Sequence, residues 1–457
     1  MRASATGTGF LDLPTEILVE IARHNYTDTA TTRNVCLVAK RLTPIFQTVL
    51  LEHIETKTEN NNTLCRIIER ILSLALADPS ADPIETKIVR QASSIRSLKI
   101  GRWTNSATLQ WSTPLSHVGG PMVHYGRMIS AAGTFNSFQQ QSWRGGLVSG
   151  KDSAILRLLL CFLSRLDTLE LQRSVISLPR AAYFRQLRGG ALLSLRKLRL
   201  CRLQTNHNLT ATCYHIMALP TLRDVEFVSL SMETKALSRL PRGHLHVTTL
   251  RFLKCYISMR AIQKLVAVCP NLADFTYTLG RRVWPMGPSK ESNADELQQH
   301  LLTRAATLQE ISFLNMELAG QYRIHALGSL SAFVNLKRLC VNQLYLMPTD
   351  VVRSWIHPRP PQNDAAHYLL TLPPSLRVLE LYHCMPSDTI AALQRLVSRG
   401  RMHFPNLRVL KVRLRQLRAS PTTLIQGMWD EVADLERDFK SLGVTLKIAV
   451  VPSSYWQ

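Results

Sequence analysis

The chain has 457 residues, 46% of them hydrophobic, and a formal charge of +23. That length exceeds one small core and the apolar content excludes a mainly disordered chain, so several domains or one extended repeat array is expected. The positive excess attracts nucleic acid, anionic membranes or acidic proteins; it bears on partners and association rate, and not on fold.

Residues 1–9 lack the apolar core of a secretory signal and are expected to be a disordered tail. From Phe10 to Ile54 the sequence predicts a small helical module of three short helices. Leu13, Ile17, Leu18 and Ile21 share one helical face behind Pro14 at a first helical position. A polar break from Asn25 to Arg33 then precedes two further apolar segments, Val35–Leu42 and Pro44–Leu51. Residues 55–94 read as a linking helix, centred on Thr63–Ala77, and a loop closed by Pro79 and Pro83.

The region 95–450 is dominated by a six-residue frame, apolar-x-x-apolar-x-apolar. It begins at Ile95-Arg96-Ser97-Leu98-Lys99-Ile100 and returns from Leu166, Leu195, Leu222, Val247, Leu272, Leu308, Leu336, Leu376 and Leu407. Most intervals are roughly 25 to 30 residues, close to a leucine-rich period. In such a frame the last two apolar residues point inward from a short strand and the polar residues point outward. One strand of this kind cannot bury its apolar side alone, so stacked repeats with a shared core and a parallel sheet are expected. Amphipathic helices are predicted over Ser258–Val268 and Thr389–Val397, each ended by a Pro-Asn-Leu restart. Insertions fall near 101–150, 280–293 and 357–364. A charged helix over Met428–Leu442 and a strand over Val444–Val450 read as the cap that the end of a stack requires.

Candidate chemistry is sparse. Gly145 to Lys151 has the Gly-x4-Gly-Lys spacing of a phosphate-cradling loop. Asp152 stands where a magnesium-binding hydroxyl is needed, however, and no buried strand precedes it, so a flexible loop capped by Asp152 or Ser153 is the better reading. The nine cysteines include no Cys-x-x-Cys pair, and His244 and His246 lack supporting ligands, so neither a disulfide framework nor a metal site is expected. No nucleophile elbow or zincin motif occurs. The expectation is a protein that is not an enzyme and needs no cofactor. Its densest apolar run, Leu158–Leu163, is too short to cross a bilayer, which places the chain in the cytoplasm or nucleus without a membrane partner.

What remains is recognition. The outward residues of the frames are mixed in sign, which favours a protein partner over nucleic acid, whose backbone calls for a predominantly basic surface. Lys411, Arg413 and Arg415 share one face of the last frame, and with Arg251 and Tyr382 they are the candidate substrate contacts. Two readings of that basic strand stay open: a pocket for an acidic or phosphorylated segment, or an edge strand protected by charge.

Leu13-Pro14-x-Glu16-Ile17-Leu18 and Val38-x-Lys40-Arg41 resemble the opening and central motifs of the F-box, and the frames resemble the leucine-rich repeats that F-box proteins carry. Thr29 to Arg33 depart from the F-box pattern, which usually has apolar residues there. The resemblance implies an α/β chain with an N-terminal three-helix F-box-like module followed by a curved leucine-rich-repeat solenoid with a parallel sheet, of the fungal F-box type. It also implies a substrate-recognition subunit of an SCF-type cullin-RING ubiquitin ligase, docking on a Skp-type adaptor through Leu13, Pro14, Ile17, Leu18, Val38 and Lys40. Cys255 and Cys384 sit where the repeat family places a turn-stabilising Asn or Cys. The alternatives are a non-catalytic scaffold outside the ubiquitin system, its N-terminal helices capping the repeats, and a basic nucleic-acid-binding protein.

Overall fold

A computed structural model describes residues 13–25, 34, 52–56, 67, 71, 80–101, 129, 137–148, 152–172, 192–201, 216–232, 244–279, 294–315, 326–347, 372–399, 404–415 and 422–451. The chain is α/β and divides into two compact units, Met1–Leu222 and Arg223–Gln457.

In the first unit, α1 (Thr15–Asn25) follows Pro14, whose carbonyl accepts the Leu18 N–H at 3.1 Å. Pro14 thus stands one position before the helix and not at its first residue. Strands β1 (His53–Thr56), β2 (Ser97–Ile100), β3 (Thr168–Gln172) and β4 (Lys197–Cys201) pair in chain order, all parallel. Between them lie α2 (Ile84–Ala92), α3 (Ser137–Val148) and α4 (Asp152–Phe162).

Three expectations are corrected here. The sheet starts at His53, so the boundary drawn at residue 54 falls inside β1; Thr56 occupies the place that Ile100 holds in β2, and without its last apolar residue the frame is disguised. A second helix, α2, occupies what was read as loop. The end of the 101–150 insertion is ordered as α3, which contains Gly145 and Gly146, so no phosphate loop spans those glycines. Gly146 is buried where α3 meets α4: a Cβ there would lie 3.0 Å from that of Ala154, and Trp143 Nε1–H donates to the Ala154 carbonyl at 3.0 Å. Close helix approach, and not ligand binding, explains this glycine.

The second unit contains β5 (Asp224–Val228), β6 (Ser231–Met232), β7 (Thr249–Ile257), β8 (Asp274–Leu279), β9 (Glu310–Asn315), β10 (Arg338–Asn342), β11 (Val378–Cys384), β12 (Val409–Arg415) and β13 (Thr445–Val451). Each pairs in parallel with its neighbour in chain order, except that β5 passes to β7 and the short β6 lies beside the far end of β7. The helices are α5 (Met259–Val268), α6 (Ala294–Leu302), α7 (Pro386–Arg399) and α8 (Thr422–Ser441), with a 3-10 turn at Gln343–Tyr345. Ser258 caps α5 by accepting the Ala261 N–H at 3.3 Å. Arg304, at the end of the next repeat, donates from Nε to the Val266 carbonyl at 3.2 Å and from Nη2 to that of Ala267 at 2.7 Å, closing the other end of α5.

The frame's polar second residue locks successive repeats. Its carbonyl accepts from two consecutive N–H groups of the next repeat: Arg223 from Thr248 and Thr249 at 2.9 and 3.0 Å, Thr248 from Ala273 and Asp274 at 2.8 and 3.0 Å, and Lys337 from Arg377 and Val378 at 2.8 and 2.9 Å. In the first unit Arg96 does the same for Asp167 and Thr168, at 2.7 and 3.1 Å. Inward residues fill the core as expected; Val225, Leu250, Phe252, Phe275, Leu339 and Leu410 are wholly buried. Aromatic rings occupy the second inward position from β5 to β9. Phe227 stacks on Phe252 at 5.3 Å, Phe252 meets Tyr277 edge-on at 6.2 Å, and Tyr277 stacks on Phe313 at 5.8 Å. At β10 the inward residue is the smaller Val341, and Tyr345 from the 3-10 turn fills the space, 4.4 Å from Phe313. Burial pushes the Tyr277 phenol well up, as a hydroxyl in an apolar core requires.

Where β7 and β11 leave the frame the pairing slips, after Phe252 and Leu381 respectively. Ser229, Lys254 and His383, each two residues past the last inward position, adopt positive φ of 53°, 54° and 53°. The turn cysteines follow. Cys255 Sγ donates to the Phe227 carbonyl of the preceding repeat at 3.2 Å, and the Cys384 thiol hydrogen-bonds Thr389.

Candidate functional site

The outward residues of the second unit form rows across its sheet, set by the strand register. One row runs Asp224, Thr249, Asp274, Glu310, Arg338, Val378, Val409, Thr445; the next runs Glu226, Arg251, Thr276, Ser312, Cys340, Glu380, Lys411, Lys447. In a third row Tyr382 on β11 follows Asn342 on β10.

At the centre of β10–β12 sits Glu380, whose side chain is only 5% exposed although it occupies an outward position. Arg338 Nη2 donates to its Oε1 at 2.8 Å and Lys411 Nζ to the same atom at 3.1 Å. Burial pushes this carboxyl up, but the Lys411 hydrogen bond and the charges of Arg338 and Lys411 outweigh it and hold the group below its ordinary value. Arg338 also lies 3.8 Å from Glu310. Beside this triad the Arg413 guanidinium lies over the Tyr382 ring at 4.7 Å from its centroid. Burial raises the Tyr382 phenol to about 12, and Cys340 links the groups through hydrogen bonds to Ser312 and Tyr382 while its own thiol is raised by burial. The arrangement can bind and orient charge. Burial disfavours ionisation of the Tyr382 phenol and the Cys340 thiol, so neither is activated as a nucleophile.

Of the candidate substrate contacts, Lys411, Tyr382 and Arg413 meet on β11 and β12. Arg251 lies apart on β7, ion-paired with Asp274 at 2.5 Å. Arg415 belongs to β12, but its side chain falls outside the described residues. The edge-strand reading of β12 is overturned, because β13 pairs with it at seven positions, Val409↔Thr445 to Arg415↔Val451. Sequence reasoning missed Arg338 and Glu380 as a unit. The two lie 42 residues apart, and only the inter-repeat register brings them together.

Among the expected docking residues, Leu13 is half-buried, Pro14 is exposed and Ile17 is 47% exposed. Leu18, named among the docking residues, is fully buried with Ala22, since a spacing of four residues puts those two on the inner side of α1. Val38 and Lys40 lie outside the described residues. His244 and His246 are exposed, and among the described residues no group of three or more His, Cys, Asp or Glu could hold a metal ion. Nor, among those residues, is any helix long and apolar enough to cross a membrane.

No protein-family model matches the chain, and no curated protein is significantly similar to it.

Proposed function

We propose that this chain is a non-catalytic recognition subunit. Its N-terminal F-box-like helices engage a Skp-type adaptor of a cullin-RING ubiquitin ligase, and its repeats, stacked as a curved leucine-rich solenoid, hold a target protein. The observation that carries the reading is the solvent-facing edge of α1, where Pro14 and Ile17 of the Leu-Pro-x-Glu-Ile-Leu motif stand exposed beside buried Leu18. An apolar side chain left in water on a polar helix is a natural anchor for a partner. The second unit adds a succession of strands whose outward rows are largely polar and ordered by ion pairs, which suits selective protein contact.

Co-expression with a Skp-type adaptor tests the docking. Wild-type chain should co-purify with the adaptor, and Ile17→Asp, or Leu13→Ala with Pro14→Ala, should weaken binding by about tenfold or more without lowering thermal stability. Absence of binding by the wild type, or full binding by both variants, removes the ubiquitin-ligase reading.

A further inference from the structure

Charge on the outward rows of the second unit is sorted along the sheet. On β5–β9, at the three outward positions before the bulge, Asp224, Glu226, Asp274 and Glu310 face a single cation, Arg251. On β10–β13 the sign inverts: Arg338, Lys411, Arg413 and Lys447 face a single carboxylate, Glu380. Within the basic half Glu380 is buried and already spent on Arg338 and Lys411, so the groups left toward solvent are positive. Arg413 and Lys447 are exposed, and Arg338 and Lys411 retain 45% and 39% exposure. In the acidic half Glu310 keeps 48%, whereas Asp274 keeps 16% and is paired with Arg251, and Glu226 is buried at 8%, so the solvent-facing acid there is chiefly Glu310 and Asp224. Ion pairing therefore neutralises neighbours without erasing the division between the halves.

We propose that this face binds an extended bipolar segment of a partner protein, laid across the strands, with its acidic run over β10–β13 and its basic run over β5–β9. The face offers opposite potentials at its two ends, and a segment of matching polarity gains at both while any other charge order is repelled at one. The dimensions fit a short peptide. Eight strands at about 4.8 Å apart span roughly 34 Å, which about ten extended residues cover. Tyr382 lies under Arg413 on the basic side and helps fix the position of that guanidinium. The inference rests on the recognition reading above and names the class of partner, but it does not depend on the adaptor.

The test uses the full chain without adaptor and three labelled peptides of about ten residues. One carries a glutamate run at one end and a lysine run at the other, one has the same composition with alternating charge, and one contains glutamate alone. By fluorescence anisotropy at low salt, the blocked peptide should bind about tenfold more tightly than the alternating one. Lys411→Glu with Arg413→Glu should abolish that preference. Asp224→Lys with Glu310→Lys should abolish it as well, while tightening the all-glutamate peptide. Lys447→Glu, exposed on β13, gives an independent reduction if the first pair compromises folding, which circular dichroism monitors. Equal binding of blocked and alternating peptides by the wild type, or a preference that survives either end's reversal in folded protein, overturns the proposal. Adaptor binding is read separately, so failure here leaves the docking result standing.

Discussion

Glu380 shows how an outward residue becomes structural. Its carboxylate accepts from the Arg338 guanidinium and the Lys411 ammonium, whose side chains stay 45% and 39% exposed while Glu380 itself is covered. A carboxyl held below its ordinary value in the folded state stabilises the fold fully above its unfolded pKa of about 4.3, and that contribution fades as pH falls through the folded value. Glu380→Gln should therefore cost about 1–2 kcal/mol at pH 7, with the difference from wild type shrinking below about pH 4. Urea midpoints at the two pH values measure it, and a difference independent of pH would show that charge is not what Glu380 contributes. Lys254 is the opposite case, an exposed residue in a left-handed conformation that L side chains rarely adopt, with φ 54°. Lys254→Gly should raise stability by about 0.5–1 kcal/mol, and Lys254→Val should lower it by a similar amount. Glu380's burial could not be read from sequence. Alternation places it outward correctly, but nothing local says that cations from the preceding and following repeats will close over it.

At the scale of elements, the strands were the most legible part. All ten frames formed strands because each carries its own inward pair, and Leu98 with Ile100 or Leu410 with Val412 declare it within six residues. Helices around Ile262 and Leu393 followed from period and from the prolines after them, although α7 begins at Pro386 and α8 at Thr422, both earlier than their apolar faces suggested. Elements lacking a clean period were lost. In α2 a nine-residue helix hides behind Pro83, and in α3 two adjacent glycines suggested a loop although both are helical and Gly146 packs against α4. Phe252 is the element-level test, since its ring touches Phe227 in the repeat before and both Phe275 and Tyr277 in the repeat after. Phe252→Ala should cost about 3–5 kcal/mol, and Phe252→Leu clearly less, in chemical denaturation.

For the whole molecule, β1 decides where the N-terminal module can be separated from the sheet. The Glu52 carbonyl accepts the Arg96 N–H at 2.8 Å, so the inter-repeat lock begins before the strand itself. A chain starting at Leu51 keeps β1 and should remain folded and soluble; one starting at Lys57 strips the pairing partner from β2 and should melt lower and aggregate. Thermal melts with light scattering distinguish the two. If the Leu51 chain also aggregates, the preceding helices act as a cap of the repeats, as the scaffold alternative holds. The α/β class, the parallel sheets and the basic strand at Lys411 were thus accessible from residues alone. The sorting of charge between β5–β9 and β10–β13 was not, because it emerges only when register aligns residues from different repeats.

The thiols have a further use. Cys161, Cys201, Cys255, Cys269, Cys340 and Cys384 are buried and unbridged, spaced from α4 to β11, and burial pushes Cys269 to about 12. A thiol shielded from reagent does not alkylate until its surroundings open. Each of these cysteines is therefore a clock for the repeat that holds it, and peptide-resolved alkylation rates would time the openings one by one. Rates that agree across neighbouring repeats mark a block that melts together; rates that step from one cysteine to the next mark a sheet that peels.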